Sequence, residues 1–181
     1  RSVRDAFTSR QVVYGRHLVK PQLVYVHSAG IDKSELSMIY VVASQWSSEI
    51  EHIYFDDERV LDGDASSITS SSHGFRNLSE KYEGYVDATC RLGLEGNGFS
   101  EYYDGPWTPD CKLEGQTALR LVLKYNAKIF KTGIPRVTCE IKGRRLYDPR
   151  IPGSQYSENY ALAVLDWLLT MVNVPLESIN T

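Results

Sequence analysis

The chain has 181 residues, of which 42% are hydrophobic, and its formal net charge is −3 at pH 7. This hydrophobic content is sufficient for one large domain or two small ones around a shared core, and it argues against global disorder. The slight negative charge gives no basic field to attract a polyanion, so the composition speaks against nucleic-acid binding and favours protein partners.

The three cysteines, Cys90, Cys111 and Cys139, form no Cys-x-x-Cys pair and lie far apart. An odd number at such spacing predicts no complete disulfide framework and fits assembly in a reducing cytoplasm. The sequence has neither a run of 18 apolar residues nor a signal-peptide pattern, so we expect no membrane insertion. Because it begins at Arg1 without an initiator methionine, we expect residues 1–181 to be a fragment of a longer protein. A division into two subdomains, about 10–92 and 93–181, is the alternative to a single domain.

Alternation with period two dominates the first three quarters of the chain. In the clearest example Val86, Ala88, Cys90 and Leu92 alternate with polar neighbours, as in a strand with one buried face. The pattern predicts about seven strands in a mostly antiparallel α+β fold, either an open sheet or a partial β-barrel. The predicted strands are Gln11–Tyr14, Leu23–Val26, Leu36–Ala43, Ile50–Phe55, Tyr82–Leu92, Leu119–Tyr125 and Val137–Ile141.

Two further segments have distinct compositions. The serine-rich stretch Ala65–Ser79 has little apolar content and is expected to be an exposed excursion. Glu158–Val172 has helical periodicity, with Ser157 as the expected N-cap and Pro175 ending the helix. We expect its apolar face to pack on the sheet, with Asn159, Ala163, Asp166, Thr170 and Asn173 on the opposite face; the apolar face comprises Ala161, Leu162, Leu165, Leu168, Leu169 and Val172.

A turn-rich block surrounds the last predicted strand. Gly133-Ile134-Pro135 precedes it, and Lys142-Gly143-Arg144-Arg145-Leu146-Tyr147-Asp148-Pro149 follows it. Gly133 and Gly143 are expected to supply turn dihedrals, and Pro149 favours an extended Asp148. We therefore interpret Tyr147-Asp148-Pro149 as a joint that sets the shape of the chain, and not Asp148 as a catalytic group.

Several residues invite a chemical interpretation. The carboxylates of Asp56, Asp57, Asp62 and Asp64 suggest a Ca²⁺ loop or a glycosidase pair, but they lack EF-hand spacing and are expected to form a solvated acidic turn. The four histidines have no metal-binding spacing, and no nucleophile elbow or phosphate loop is present. The sequence therefore predicts no enzyme, no metal and no cofactor.

Three aromatic residues, Tyr102, Tyr103 and Trp107, lie in a loop-like stretch beside Gly105 and Pro106. Such side chains stack on sugar rings or anchor protein interfaces when exposed. The alternative is that they fold onto the edge of the sheet.

The block from Gly133 to Leu169 resembles tail tip proteins of tailed phages, of the host-specificity protein J type. The resemblance rests on Gly133, Pro135, Gly143, the joint Tyr147-Asp148-Pro149 and Asn159. Two earlier blocks match in the same order, namely Val13-Tyr14-Gly15-Arg16 and the Tyr54-Phe55-Asp56-Asp57-Glu58 end of a long strand. The chain departs from the family where Lys20-Pro21 replaces Gly-Gly and where Tyr160 replaces the proline of Asn-Pro-Ala.

The resemblance implies a hub-like module of a phage or prophage tail tip. Its implied partners are other copies of itself, as a homotrimer in the full-length protein, and neighbouring tail proteins. It implies a virion component assembled in the cytoplasm of the bacterial host, which supports host adsorption and DNA ejection. DNA would pass transiently, without specific nucleic-acid binding. The alternatives are a carbohydrate-binding β module that uses the three aromatics, and a wall-degrading hydrolase that uses the aspartates.

Overall fold

The computed structural model describes residues 10–64, 69, 72–96, 98–99, 106–108 and 110–179. Within these residues the chain forms ten β-strands and one α-helix, α1, at Tyr160–Thr170, with short 3-10 turns between elements. The strands are β1 (Arg16–Val19), β2 (Gln22–Ala29), β3 (Glu35–Ala43), β4 (Ser47–Phe55), β5 (Glu58–Gly63), β6 (Ser72–Asn77), β7 (Val86–Arg91), β8 (Thr117–Lys124), β9 (Val137–Tyr147) and β10 (Ser154–Tyr156).

All strand pairs are antiparallel and belong to one sheet, in the order β1-β9-β4-β5-β6-β7-β8-β3-β2, with β10 also paired to β9. The two end strands of this order, β1 and β2, are separated in sequence only by Lys20 and Pro21. Because three consecutive Cα steps span at most about 11 Å, the two edges of the sheet must approach each other. The sheet therefore curls into a half-barrel, which confirms the predicted α+β fold with a mostly antiparallel sheet.

The main hydrophobic core lies on one face of this curled sheet. Alternate residues of the central strands supply it, as the period-two pattern predicted. Each fully buried aliphatic or phenyl side chain contributes roughly 1.5–3 kcal/mol before chain entropy is subtracted. The largest members with at most 1% exposure are Met38, Ile50, Ile53, Phe55, Leu92, Leu119, Leu121 and Ile141.

A smaller cluster covers the opposite face of β3 and β8. Ile39 and Ala118 point to this face, and Phe99 and Trp107 from the segment before β8 pack over them. Met38, the neighbour of Ile39, points into the main core instead. The β3 strand is therefore buried on both faces, which alternation in its own sequence does not reveal.

Several strand predictions need correction. Gln11–Tyr14 is not a strand, and β1, β5, β6 and β10 were not predicted. Strand β6 lies inside the serine-rich stretch that was expected to be an excursion, where it pairs with β5 and β7; residues 65–68 and 70–71 of that stretch lie outside the described residues. The pairing partners on both sides supply the order that the composition of β6 does not.

The helix prediction is correct in type but wrong in its ends. The N-cap of α1 is Asn159, whose Oδ1 accepts a hydrogen bond from Ala161 N at 2.9 Å, whereas Ser157 Oγ accepts from Asn159 N, two residues before the cap. At the other end the helix stops at Thr170, before Pro175, and Asn173 adopts a positive φ of 56°. An asparagine tolerates this left-handed conformation better than most residues, so it ends the helix.

The sheet is continuous across the subdomain boundary suggested near residue 92. Strand β7 precedes that boundary and pairs along its length with β8, which follows it. The division into two subdomains stays a prediction. None of the helical segments among the described residues has the length and apolar character needed to cross a membrane.

Candidate functional site

Two of the sequence blocks that carry the resemblance meet beside the middle of β9. Gly143 N donates a hydrogen bond to Gly15 O, and Arg144 N donates to Val13 O, both at 2.8 Å. A Cβ atom at Gly143 would overlap the carbonyl oxygen of Val13. Gly143 therefore allows this close backbone approach from within a strand, and the prediction that it supplies turn dihedrals is wrong. Gly133, at φ 92°, does adopt the turn conformation that was predicted.

The side chain of Gln45 holds the same N-terminal segment from the other side. Its Oε1 accepts from Val13 N at 3.0 Å, and its Nε2 donates to Val13 O at 2.6 Å. Gln45 is 3% exposed, so its amide supplies hydrogen bonds that water cannot supply to the N–H and C=O of Val13. A glutamine amide thus takes the place of a neighbouring strand for one residue.

An ionic cluster joins this segment to α1. Arg144 Nε lies 2.8 Å from Asp166 Oδ2, and the hydroxyl of Tyr14 donates to the same oxygen at 2.8 Å. The Arg144 N–H is not aligned for a hydrogen bond, so this contact is an ion pair. Burial and, next, the hydrogen bond to Asp166 raise the pKa of Tyr14 to about 12, which keeps the phenol protonated as a donor. We name Tyr14, Arg144 and Asp166 the α1 joint.

The α1 joint places a charged residue on the face of the helix that packs on the sheet. Only Leu162 and Asp166 of α1 are buried. Asp166 was expected on the outward face, and that expectation is wrong. Leu162 of the predicted apolar face is buried, and Leu165, Leu168 and Leu169 are half-buried. Leu162 and Asp166, one turn apart, share the inner face, and the ion pair to Arg144 satisfies the charge of Asp166 there. Ala161 and Val172, predicted as packing residues, are exposed.

An apolar line lies on the outside of α1. Tyr160, Val164, Trp167 and Met171 are 88%, 57%, 50% and 46% exposed. Their spacing of four, three and four residues places them within one narrow stripe of a helix. We name these four residues the α1 stripe.

The Tyr147-Asp148-Pro149 joint ends β9, which continues to Tyr147 past the predicted strand end at Ile141. The Asp148 carboxylate accepts from Arg150 N at 3.0 Å and from Arg150 Nε at 2.9 Å, while Asp148 O accepts from Ile151 N. The hydrogen bonds from Arg150 lower the pKa of Asp148 to about 2. A carboxylate with this pKa and these partners fixes a tight turn and is a poor proton donor at neutral pH. After the turn, β10 pairs back on β9 and leads into α1.

The aspartates after β4 are also bound by an arginine of the same chain. Asp56 and Asp57 form the two-residue turn to β5, with φ of 48° and 74°. Asp56 Oδ1 accepts from Arg136 N at 3.0 Å, and Arg136 Nη2 donates to Asp57 Oδ2 at 3.1 Å. Arg136 follows Pro135, so this turn joins two further blocks of the resemblance. The expected acidic turn is present, and Arg136 clasps it.

Asp62, another of the suggested hydrolase carboxylates, contacts an arginine and a histidine. Asp62 Oδ1 lies 2.7 Å from Arg59 Nε and 2.7 Å from His52 Nδ1. Burial raises the pKa of Asp62, but the hydrogen bonds from Arg59 and His52 outweigh this and lower it. No group of three or more metal-binding side chains occurs within the part of the chain that the structure describes.

Of the three suggested interface aromatics, only Trp107 lies among the described residues. Trp107 is 7% exposed, its Nε1 donates to Phe99 O at 3.2 Å, and its ring meets Tyr25 edge-on at 5.0 Å. Trp107 therefore packs on the sheet and presents no open face for a sugar ring. Tyr102 and Tyr103 lie outside the described residues.

Gln45, Arg144, Asp166 and the α1 stripe were missed as functional candidates. One signal was available, because Asp166 is the only charged residue between Asn159 and Leu176. A lone carboxylate in such an apolar helix needs a partner wherever it is buried. Gln45 and Arg144 gave no signal, because their partners are backbone or distant residues.

No protein-family model matches this chain, and no curated protein matches it. Among solved structures, the chain is similar to a chain in the virion of a native gene transfer agent particle, with 13% sequence identity and a TM-score of 0.45. The match covers 89% of the present chain and 39% of that chain, so the present chain spans well under half the length of its neighbour. Assignment of a function therefore depends on the residues of this chain.

Proposed function

We propose that this chain is a hub-like module of the tail tip of a tailed phage or prophage, and that its role in the virion is structural. The proposal rests first on the ordered sequence blocks that resemble host-specificity protein J. In this reading the module belongs to a longer protein that surrounds the distal end of the tail tube as a threefold ring and contacts neighbouring tail proteins. It performs no catalysis and requires no cofactor.

The single observation that carries the proposal is that the resemblance blocks meet in pairs. The block at Val13-Tyr14-Gly15-Arg16 binds the backbone of Gly143 and Arg144, and the turn at Asp56-Asp57 binds Arg136 beside Pro135. Residues that recur together for catalysis converge on a cleft, whereas these converge on backbone joints. Such a pattern supports a structural role, in which the shared feature is the shape of the backbone and not a reactive group.

The electrostatics fit the same role. The two carboxylates of the site are paired within the chain: Asp148 with Arg150, and Asp166 with Arg144 and Tyr14. A net charge of −3 also suits a surface past which DNA slides, because such a surface must not hold phosphate.

The test is assembly of the longer protein that contains this chain. We expect it to have the mass of an oligomer by light scattering, to form rings in electron micrographs and to join tails purified without it. The matched control is the same protein with the module removed, which should fail to join them. A parent protein that remains monomeric and never joins tails would show that the proposal is wrong.

Two further measurements separate the rival functions. Binding of cell-surface glycans at micromolar concentration, without incorporation into tails, would favour the carbohydrate module. Clearing of a cell-wall suspension, abolished by Asp62→Asn, would favour the hydrolase.

A further inference from the structure

The outward face of α1 has the composition of a protein contact. Apart from the inward-facing Asp166, no residue between Asn159 and Leu176 is charged, and the α1 stripe consists of two aromatics, a valine and a methionine. Cores of protein interfaces are enriched in aromatic residues and methionine and depleted in charge. A solvated helix face normally carries charged residues instead.

The spacing of the stripe suits a second helix as partner. Intervals of four, three and four residues form the seam along which two helices pack with interlocking side chains. The only α-helix within the described residues is α1 itself. A second copy of this chain therefore offers a helix of matching length.

The same spacing reads identically in both directions. When two copies of α1 lie antiparallel about a two-fold axis, Tyr160 of one copy faces Met171 of the other, and Val164 faces Trp167. Each large ring then meets a smaller or more flexible side chain, and the methionine sulphur meets an aromatic ring. Such self-complementarity is what a two-fold contact between identical chains requires.

Size and charge agree with this partner. The exposed parts of the four side chains amount to about 500 Å² per copy, so the stripes of two copies can bury at most about 1,000 Å², close to the lower limit for a specific interface. Because the stripe carries no charge, two copies bring no like charges together. Apolar patches of this size on soluble proteins are frequently functional.

We propose that α1 is a self-association surface and that two copies of this chain pair through antiparallel α1 stripes. The contact is distinct from the threefold ring of the proposed function and goes beyond it. It can therefore be tested on the 181-residue chain alone, and either proposal can fail without the other.

The first experiment measures the mass of the chain by sedimentation equilibrium over a range of concentrations. We expect dimers at about 100 µM, and we expect Val164→Glu to raise the dissociation constant at least about tenfold. Ile31→Glu is the matched control, because Ile31 is 87% exposed on a hairpin far along the sequence from α1. A wild-type chain that stays monomeric up to about 100 µM, or equal weakening by both variants, overturns the proposal.

The second experiment tests the antiparallel register in a Cys111→Ser background. A mixture of the Tyr160→Cys and Met171→Cys proteins should form a disulfide-linked dimer on mild oxidation, whereas neither protein alone should. Cross-linking of each protein with itself would indicate a parallel pair and would overturn the two-fold arrangement. Far-UV circular dichroism checks that each variant folds, and all substituted positions except Cys111 are exposed.

Discussion

Arg144 in β9 and Asp166 in α1 form the ion pair that fixes the helix to the sheet, with 2.8 Å between Arg144 Nε and Asp166 Oδ2. The side chains are 25% and 10% exposed, so neither is fully solvated. The pair is separated by 22 residues in sequence, and it holds Asp166 on the side of α1 that faces the sheet.

We expect Asp166→Ala to lower the free energy of unfolding by about 2 kcal/mol, because Arg144 is then partly buried without its counter-charge. Urea unfolding followed by circular dichroism measures this. Asp87→Ala, which removes an exposed partner of Lys124, is the control and should cost about 0.5 kcal/mol or less. The double variant Arg144→Met with Asp166→Leu should recover most of the loss. Equal costs for Asp166→Ala and Asp87→Ala would contradict the role of the pair.

Gln45→Leu should destabilise the chain by about 2–4 kcal/mol. The substitution keeps an apolar side chain of similar size but leaves the N–H of Val13 buried without its partner and removes one of the two hydrogen bonds to its C=O, which keeps the bond from Arg144 N. The urea midpoint measures the loss, and Gln155→Leu on exposed β10 is the matched control with little expected change. If Gln45→Leu unfolds at the wild-type midpoint, the two bonds do not contribute to stability.

His73 should make stability depend on pH. Its Nε2 accepts a hydrogen bond from Ile50 N of β4 at 3.1 Å, and its Nδ1 donates to Gly74 O. Burial lowers the pKa of His73, opposed by the Gly74 hydrogen bond and the charges of Glu49 and Asp64. As the pH falls, the imidazole of His73 is therefore protonated in the unfolded chain before it is protonated in the folded chain. The contribution is complete above the unfolded pKa of about 6.5 and is lost as pH falls through the lowered folded pKa.

The check is the urea midpoint of the wild-type chain and of His73→Gln between pH 7.5 and pH 5, a window of roughly one unit above and below the ordinary histidine pKa. We expect wild type to lose stability with a slope of at most about 1.4 kcal/mol per pH unit from this residue, and His73→Gln to lack that part of the slope. His17→Gln, at an exposed histidine, should retain it. Identical slopes in all three proteins would refute the assignment.

Thiol labelling should distinguish the three cysteines. Cys90 and Cys139 are fully buried, and burial raises the pKa of Cys90 to about 12 and that of Cys139 further. Cys111 is half-buried in the segment before β8. We therefore expect an aromatic disulfide reagent to modify one thiol in the native chain and three in urea. Cys111→Ser should remove the native reaction; rapid native labelling of Cys90 would contradict the described core.

The strands with clean alternation were predictable because their own side chains decide their faces. In β7, Val86 and Cys90 are buried as the pattern indicated, and β8 lies where leucines repeat at period two. Strand β6 was not predictable, because Ser72–Asn77 is ordered by pairing with strands on both sides. The buried state of Trp107 likewise depends on Ile39 and Tyr25, which are far away in sequence.

The sequence by itself determined the antiparallel α+β class, the turn glycine Gly133, the end of β9 at Tyr147-Asp148-Pro149 and the existence of the C-terminal helix. These depend on dihedral preference and on the periodicity of neighbouring residues, which are local properties. Tertiary structure alone decided that Gly143 admits the Val13 carbonyl, that Gln45 takes the place of a strand, and that Asp166 turns inward while Trp167 turns outward. Each of these depends on a partner tens of residues away, and only the folded chain brings such a partner within hydrogen-bond or ion-pair distance.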